Sequence, residues 1–339
     1  MNQRLDHIDI AKGIAIILVV YGHAAAQLQG STVYQEYLAA SNVIIFSFVM
    51  PIFFIISGAF QRIRLDSETF NAKIYLSKII KSILLPFYSL SLVFMMIKLV
   101  LDNDINTPSA IDMICGMLFQ QSNGELLPSG VLWFLFTLFM FHIITYSYLK
   151  LLNYKIIYLV IAAIILRSKF NILDHLHYMA YDKISTFFIF YLFGYCFYDK
   201  IVYQPIHRVT TLFVLTLVYI LIRLMHNNSN LMLYISPFGL SGITLSLVVL
   251  GISYWLSQNF NKSFFVRILK YYGKHSIVVY VFHMPTFTIF KTISSLMNIE
   301  PNYSKQLILF LPGIILPLCY KKIISYNKII YEILLGRKP

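Results

Sequence analysis

Long apolar stretches alternate with short polar segments along almost the whole chain. Ten stretches of about 17 to 26 residues are dominated by Ile, Leu, Val, Phe and Tyr, which are lengths that cross a hydrocarbon core as α-helices. They are residues 10–28, 42–60, 79–101, 131–152, 154–170, 184–201, 209–226, 232–257, 275–297 and 307–325. A transmembrane β-barrel would instead show alternating segments of about ten residues, a pattern that this sequence lacks. The pattern predicts an all-α, polytopic membrane protein with about ten transmembrane helices.

The fifth predicted span, 154–170, leaves two interpretations open. Its purely apolar part, Ile156 to Leu166, is short for a complete crossing and also suits a re-entrant segment. A crossing keeps the four basic residues at 262–274 on the same side as most other basic residues, so the charge distribution favours it. No Gly/Ser-rich linker or soluble block interrupts the chain, and residues 1–339 are predicted to form a single domain.

Composition and charge support this membrane assignment. Hydrophobic residues make up 58% of the chain and charged residues only 12%, whereas soluble domains contain about 25% charged residues. A net charge of +13 can indicate a nucleic-acid partner, but here the membrane topology accounts for it better, and no such partner is predicted. Of the Lys and Arg residues, 20 lie on one side of the predicted spans and 6 on the other. This asymmetry predicts cytoplasmic termini in a multi-pass protein of the cytoplasmic (inner) membrane. The three cysteines have no metal-ligand spacing, and no metal site is predicted.

The longest outward connection runs from Asp102 to Gly130. It contains four acidic residues and no Lys or Arg. The segment suits an extracytoplasmic lid or acceptor site, and it equally suits an ordinary solvated loop.

The first predicted span contains ionisable residues in a common helical register. His23 follows Lys12 by eleven positions, which at about 100° and 1.5 Å per residue places both within about 20° of one face and about 16 Å apart along the axis. Asp9 precedes Lys12 by three residues, so the two can form an ion pair. Taken singly, Lys12 suits an interfacial anchor and His23 a core histidine. Ionisable groups in a bilayer are costly and usually mark function, so the shared register favours a functional site.

This register resembles the signature of the integral-membrane acyltransferase family 3, in which an Arg or Lys is followed after ten residues by a His. Lys12 and His23 have that spacing, and Asp9 and Gly13 stand where the family pattern Asp-x-x-Arg/Lys-Gly expects them. Three other segments are similar to family sequences: residues 51–58 (PIFFIISG), 132–135 (LWFL) and 280–285 (YVFHMP). The likeness covers nearly the whole chain. The segment Asp-Ile-Ala-Lys-Gly (residues 9–13) is most similar to sequences of the fucose O-acetylase and exopolysaccharide O-acyltransferase branch.

The resemblance implies transfer of an acyl group, usually acetyl, from cytoplasmic acyl-CoA to a hydroxyl of a cell-surface saccharide or its lipid-linked precursor. The donor phosphates are expected in a basic vestibule formed by Lys12, Lys78, Lys81 and Arg62. Family members typically carry Arg-x-x-Arg where this chain has Lys78 and Lys81. The positive charge is retained, but the bidentate geometry of Arg is lost.

His23 and Asp9 are the candidate catalytic residues. A sugar hydroxyl is a poor nucleophile until a base removes its proton, which an imidazole can do near neutral pH. His23 can act as this general base, or it can accept the acyl group and pass it on. Both routes remain open.

Three further residues are candidates for substrate binding. Ser57 and Trp133 are possible donors to the oxyanion, although Ser57 also suits small-residue helix packing and Trp133 an interfacial aromatic belt. His283 suits either the lining of a donor cavity or a bond to a backbone group freed by Pro285.

The main alternative function is a transporter or flippase for saccharides or acyl groups, because many spans and buried ionisable residues suit that class. Such proteins often have paired interrupted helices in two related halves, which this sequence does not show. The sequence leaves open the sugar, the acyl chain and the oligomeric state.

Overall fold

The computed structural model describes residues 5–101, 109–119, 130–168, 181–205, 209–226 and 239–338. Every regular element in these ranges is helical. The helices are α1 Asp6–Ala26, α2 Ala39–Leu65, α3 Ala72–Ile79, α4 Leu85–Leu101, α5 Ala110–Phe119, α6 Trp133–Tyr146, α7 Ile156–Ser168, α8 Tyr181–Cys196, α9 Tyr198–Val202, α10 Val209–His226, α11 Leu240–Asn259, α12 Phe264–Lys274, α13 Ser276–Leu296, α14 Tyr303–Ile324 and α15 Lys328–Leu335. Short π-helical segments adjoin α2, α4 and α6: Tyr34–Leu38, Ile80–Leu84 and Ser147–Leu151.

Seven helical segments within the described ranges are long and apolar enough to cross a membrane. They are Asp6–Ala26, Ser41–Leu65, Ala72–Ile97, Trp133–Leu151, Leu240–Asn259, Ser276–Leu296 and Tyr303–Ile324. The prediction of an all-α polytopic protein is therefore confirmed. The count of ten spans and the cytoplasmic position of the termini stay predictions.

Of the other three predicted spans, 154–170 overlaps α7, 184–201 overlaps α8 and α9, and 209–226 coincides with α10. In α7 and α10 the apolar stretches are shorter, Ile156–Arg167 and Thr210–Leu221. The 13 residues of α7 extend over about 20 Å, which is less than the roughly 30 Å of a hydrocarbon core. Whether α7 crosses or re-enters is therefore still open.

The chain divides into two compact units. The first comprises Met1–Phe60 and Phe193–Lys321, and the second comprises Gln61–Leu192 and Lys322–Pro339. Each unit has its own packing and is described separately below.

In the first unit, α1 packs against α11, α12 and α13. Helices α1 and α12 are in backbone contact where two glycines meet the opposing helix. A Cβ atom on Gly13 would lie 2.0 Å from the carbonyl oxygen of Leu269, and one on Gly273 would lie 1.7 Å from that of Asp9. A larger residue at either position would collide with the opposing backbone, so glycine is required at both. Small residues of this kind let the backbones of membrane helices approach closely. This crossing holds the part of α1 that carries Asp9 and Lys12.

In the second unit, a buried hydrogen-bond network joins four side chains. Tyr191 donates its hydroxyl hydrogen to Oε1 of Gln61 (2.6 Å), and Nε2 of Gln61 donates to Tyr75 (2.7 Å) and to the carbonyl of His142 (2.9 Å). Nδ1 of His142 lies 2.9 Å from the Tyr191 hydroxyl and 3.2 Å from that of Tyr75. His142 is therefore a structural residue whose ring is held by two tyrosines.

The predicted outward connection from Asp102 to Gly130 is described only in part. Its helix α5 packs Met113 and Met117 against Met95 of α4. Asp102, Asp104 and Glu125 lie outside the described residues, so the proposed lid or acceptor site stays a prediction.

Candidate active site

His23 lies near the carboxyl end of α1, half-buried in the first unit. Its ring packs edge-on against Phe46 of α2, with centroids 5.0 Å apart, and lies 5.3 Å from the ring of His283 at an interplanar angle of 36°. The neighbouring Gly22 makes room for this arrangement, because a Cβ atom there would lie 3.0 Å from the Phe46 ring. The predicted first-span histidine therefore has a second imidazole beside it.

His283 is fully buried in α13, two residues before Pro285. Its Nδ1 lies 2.7 Å from the carbonyl oxygen of Tyr280 and 3.2 Å from that of Val279. Pro285 cannot donate to the carbonyl four residues before it, that of Val281, so the contacts of His283 are not with the carbonyl that the proline frees. The ring thus bonds to the backbone of its own helix beside His23, and its position in a donor cavity stays a prediction.

The predicted ion pair at the other end of α1 is present. Nζ of Lys12 lies 3.1 Å from Oδ1 of Asp9, and the side chain of Asp9 is only 7% exposed against 27% for Lys12. Eleven residues separate Lys12 from His23, so the pair and the imidazole are about 16 Å apart along the helix axis. The cation is the more accessible member and can contact an anionic ligand at this end.

Ser57 and Trp133 occupy different units. Ser57 is half-buried in α2, eleven residues beyond Phe46 and therefore roughly 16 Å further along the helix, and no contact of the described residues places it beside His23. Trp133 belongs to the second unit, where its ring stacks on Phe187 with centroids 5.3 Å apart and Nζ of Lys183 lies 5.5 Å from its centroid. Their roles as oxyanion donors stay predictions.

The remaining basic candidates lie in the second unit. Arg62 pairs with Asp66, one turn further along α2. Lys78 and Lys81 are exposed, and neither pairs with an acidic residue that the structure describes. Because Lys12 belongs to the first unit, a common vestibule of these residues stays a prediction.

Sequence reasoning missed Asn42, at the start of the second apolar stretch. This residue is buried (3% exposed) and donates through Nδ2 to the carbonyl of Gly22 (3.1 Å). Its Oδ1 has no hydrogen-bond partner among the described residues. A single Asn among apolar residues was the only signal, and the sequence did not link it to His23.

Over the described ranges, no group of three or more His, Cys, Asp or Glu residues could hold a metal ion. The imidazole nitrogens of His23 and His283 can transfer protons and attack as nucleophiles.

Comparison with protein families gives a match over most of the chain. The model of acyltransferase family 3, described as an acyltransferase domain, matches residues 5–320. No curated protein and no solved structure matches the chain. The family match includes α1 with its Asp9, Lys12 and His23 and extends through most of α14. The chain therefore belongs to acyltransferase family 3 and is a multi-pass membrane acyltransferase.

Proposed function

We propose that this protein transfers an acetyl or other short acyl group from cytoplasmic acyl-CoA to a hydroxyl of a cell-surface saccharide or its lipid-linked precursor. The observation that carries the proposal is the pair of imidazoles of His23 and His283, 5.3 Å apart in a chain of an acyltransferase family. Acyl transfer to a hydroxyl requires a group that accepts a proton or an acyl chain, and imidazole does both.

The donor enters from the Lys12 end of α1, which this proposal places on the cytoplasmic side of the inner membrane. CoA is a polyanion whose phosphates require cations at an accessible surface. The partly exposed Nζ of Lys12 supplies one. The roughly 16 Å from Lys12 to His23 is comparable with an extended pantetheine arm, which brings the thioester to the imidazole.

At His23 the reaction follows one of two routes. In direct transfer, the saccharide oxygen bonds to the thioester carbon as the carbon–sulfur bond breaks. His23 takes the hydroxyl proton and passes it to the departing thiolate. In the acyl-enzyme route, a nitrogen of His23 attacks the thioester carbon and CoA leaves as its thiolate. The saccharide hydroxyl then attacks the acyl-imidazole, which releases His23 as its carbon–nitrogen bond breaks, and the hydroxyl proton passes by way of the freed imidazole to the thiolate. Asp9 supports both routes by orienting Lys12.

The aromatic surroundings of His23 favour transfer over hydrolysis. Phe46 lies against the His23 ring, and Phe287 packs edge-on against His283 at 5.5 Å. Apolar rings limit the number of water molecules that can compete with the saccharide for the acyl group.

The test uses purified protein in proteoliposomes, radiolabelled acetyl-CoA and a saccharide acceptor. We expect His23→Ala to lower the rate of acyl transfer by at least about 100-fold, the lower range for loss of a general base. Tyr21→Phe is the matched control, because it lies one half-turn earlier on α1 and keeps the ring that packs against Phe310. Full activity of His23→Ala would exclude this site.

The same preparation distinguishes the acyltransferase from a transporter. Uptake of intact labelled substrate with no acylated product would favour the transporter. Mass spectrometry of the host's surface glycans, with and without the gene, identifies the sugar and the hydroxyl that are modified.

A further inference from the structure

The rings of His23 and His283 are at the separation of hydrogen-bonded imidazoles. An N–H···N bond of about 3 Å places the centroids of two imidazoles roughly 5 Å apart. The observed centroid distance is 5.3 Å with a tilt of 36°. Nε2 of His283 is buried and has no hydrogen-bond partner among the described residues. The separation of the rings therefore allows an N–H···N bond between them when a nitrogen of each ring faces the other.

The backbone around His283 determines which nitrogen carries its proton. Nδ1 faces two carbonyl oxygens, those of Tyr280 and Val279. Carbonyl oxygens only accept hydrogen bonds, so Nδ1 is the protonated nitrogen and Nε2 of the neutral ring carries a lone pair. The helix therefore holds His283 as a hydrogen-bond acceptor at the end that is free to face His23.

An acceptor buried in this way is costly unless it finds a donor. An unpaired buried polar group destabilises a folded protein, and an apolar side chain of similar size at position 283 would avoid that penalty. A donor that turns towards Nε2 at only some stages of a reaction accounts for a lone pair without a partner at rest. His23 is the neighbouring side chain that can provide one.

We infer that His283 is a positioning residue for His23, an inference that rests on the proposed acyltransferase function. When one nitrogen of His23 takes the hydroxyl proton or the acyl group, the other nitrogen donates its N–H to Nε2 of His283. The proton of that N–H stays on His23 throughout, and the hydrogen bond stabilises the positive charge that develops on the ring. The arrangement corresponds to the role of the orienting acid in a catalytic triad, with a neutral imidazole in place of a carboxylate.

The difference in burial indicates which ring contacts substrate and which ring positions the other. His283 is completely inaccessible, whereas His23 is partly exposed. Substrate therefore reaches His23, and His283 acts through it. Because His283 is distant from α1 along the chain, the sequence of α1 alone does not indicate this relationship.

The test replaces His283 with side chains that keep one function of the ring at a time. Asn at position 283 keeps a donor near the place of Nδ1 and has no acceptor at the place of Nε2. Gln places an amide oxygen near Nε2 and so restores the acceptor. Ser is a second variant without the acceptor, and its hydroxyl can bond to the carbonyl of Val279 or Tyr280. His142→Asn is the control for loss of a buried imidazole, because the ring of His142 is held by Tyr75 and Tyr191.

Rates are measured per folded protein, with kcat and KM determined separately for acetyl-CoA and the saccharide. We expect H283N and H283S to lower kcat by roughly 10- to 100-fold, by analogy with the loss of a residue that orients a metal-binding histidine. KM should change by less than about twofold, because His283 does not touch substrate. H283Q should recover a substantial part of kcat, and H142N should change kcat by less than about twofold.

Two results would overturn the inference. One is wild-type kcat in H283N or H283S, and the other is an equal loss of kcat in the Asn, Ser and Gln variants, which indicates a structural role only. Wild-type protein and His23→Ala are measured alongside. If the wild-type protein shows no acyl transfer, both proposals are refuted. If the wild type is active, His23→Ala is inactive and H283N is unaffected, only the role of His283 is refuted.

Discussion

The contact between α1 and α12 yields a quantitative prediction. In Gly273→Ala, the added Cβ atom would lie 1.7 Å from the carbonyl oxygen of Asp9, and real Cβ atoms do not come closer than 3.0 Å to such atoms. The helices must therefore separate by at least 1.3 Å at this point, the difference between these two distances. The obstructing atom belongs to the backbone of α1, so it cannot move aside as the end of a flexible side chain can.

We expect this separation to destabilise the protein measurably. Overpacking of a tight contact costs about 1–3 kcal/mol, and a backbone clash belongs at the upper end of that range. The melting temperature should fall on the order of 5 °C. Because the displaced segment carries Asp9 and Lys12, we also expect a higher KM for acetyl-CoA.

The assay heats detergent-solubilised protein and measures the fraction that remains monodisperse by size-exclusion chromatography. Gly13→Ala tests the same crossing from the other helix, because its Cβ would lie 2.0 Å from the carbonyl oxygen of Leu269. Gly130→Ala is the control, because no atom lies within 4 Å of a Cβ built there. If Gly273→Ala melts within about 1 °C of Gly130→Ala, the backbone contact between α1 and α12 does not hold the fold as described.

Two other substitutions separate ligand binding from stability. Lys12→Gln should raise KM for acetyl-CoA about tenfold, equivalent to about 1.4 kcal/mol of lost binding. Steady-state kinetics should show kcat changed less than twofold. An unchanged KM would show that Lys12 is not part of the donor site. Tyr191→Phe should destabilise the protein by about 1–3 kcal/mol because it leaves Oε1 of Gln61 buried without its donor. Thermal unfolding measures this loss, and a fall in kcat per folded protein would contradict the structural role of the network that includes His142.

Local periodicity was sufficient to predict the features contained in a single helix. The length and apolar character of the stretches predicted an all-α membrane protein, because each helix must satisfy its own backbone in lipid. The register of Asp9, Lys12 and His23 follows from about 100° per residue, and the Asp9–Lys12 pair is present at 3.1 Å. The lengths of α7, α8 and α10 are less well determined, because short apolar runs do not reveal where a helix ends.

Features that join distant parts of the chain depended on the tertiary structure. The spacing on α1 says nothing about residues 260 positions away, so only packing could place His283 beside His23 and Gly273 against Asp9. The same holds for Asn42, whose importance lies in its bond to the Gly22 carbonyl. Sequence periodicity therefore determined that Asp9, Lys12 and His23 share one face of α1, whereas the partners of that face were decided by helix packing, which brings together side chains that no local pattern relates.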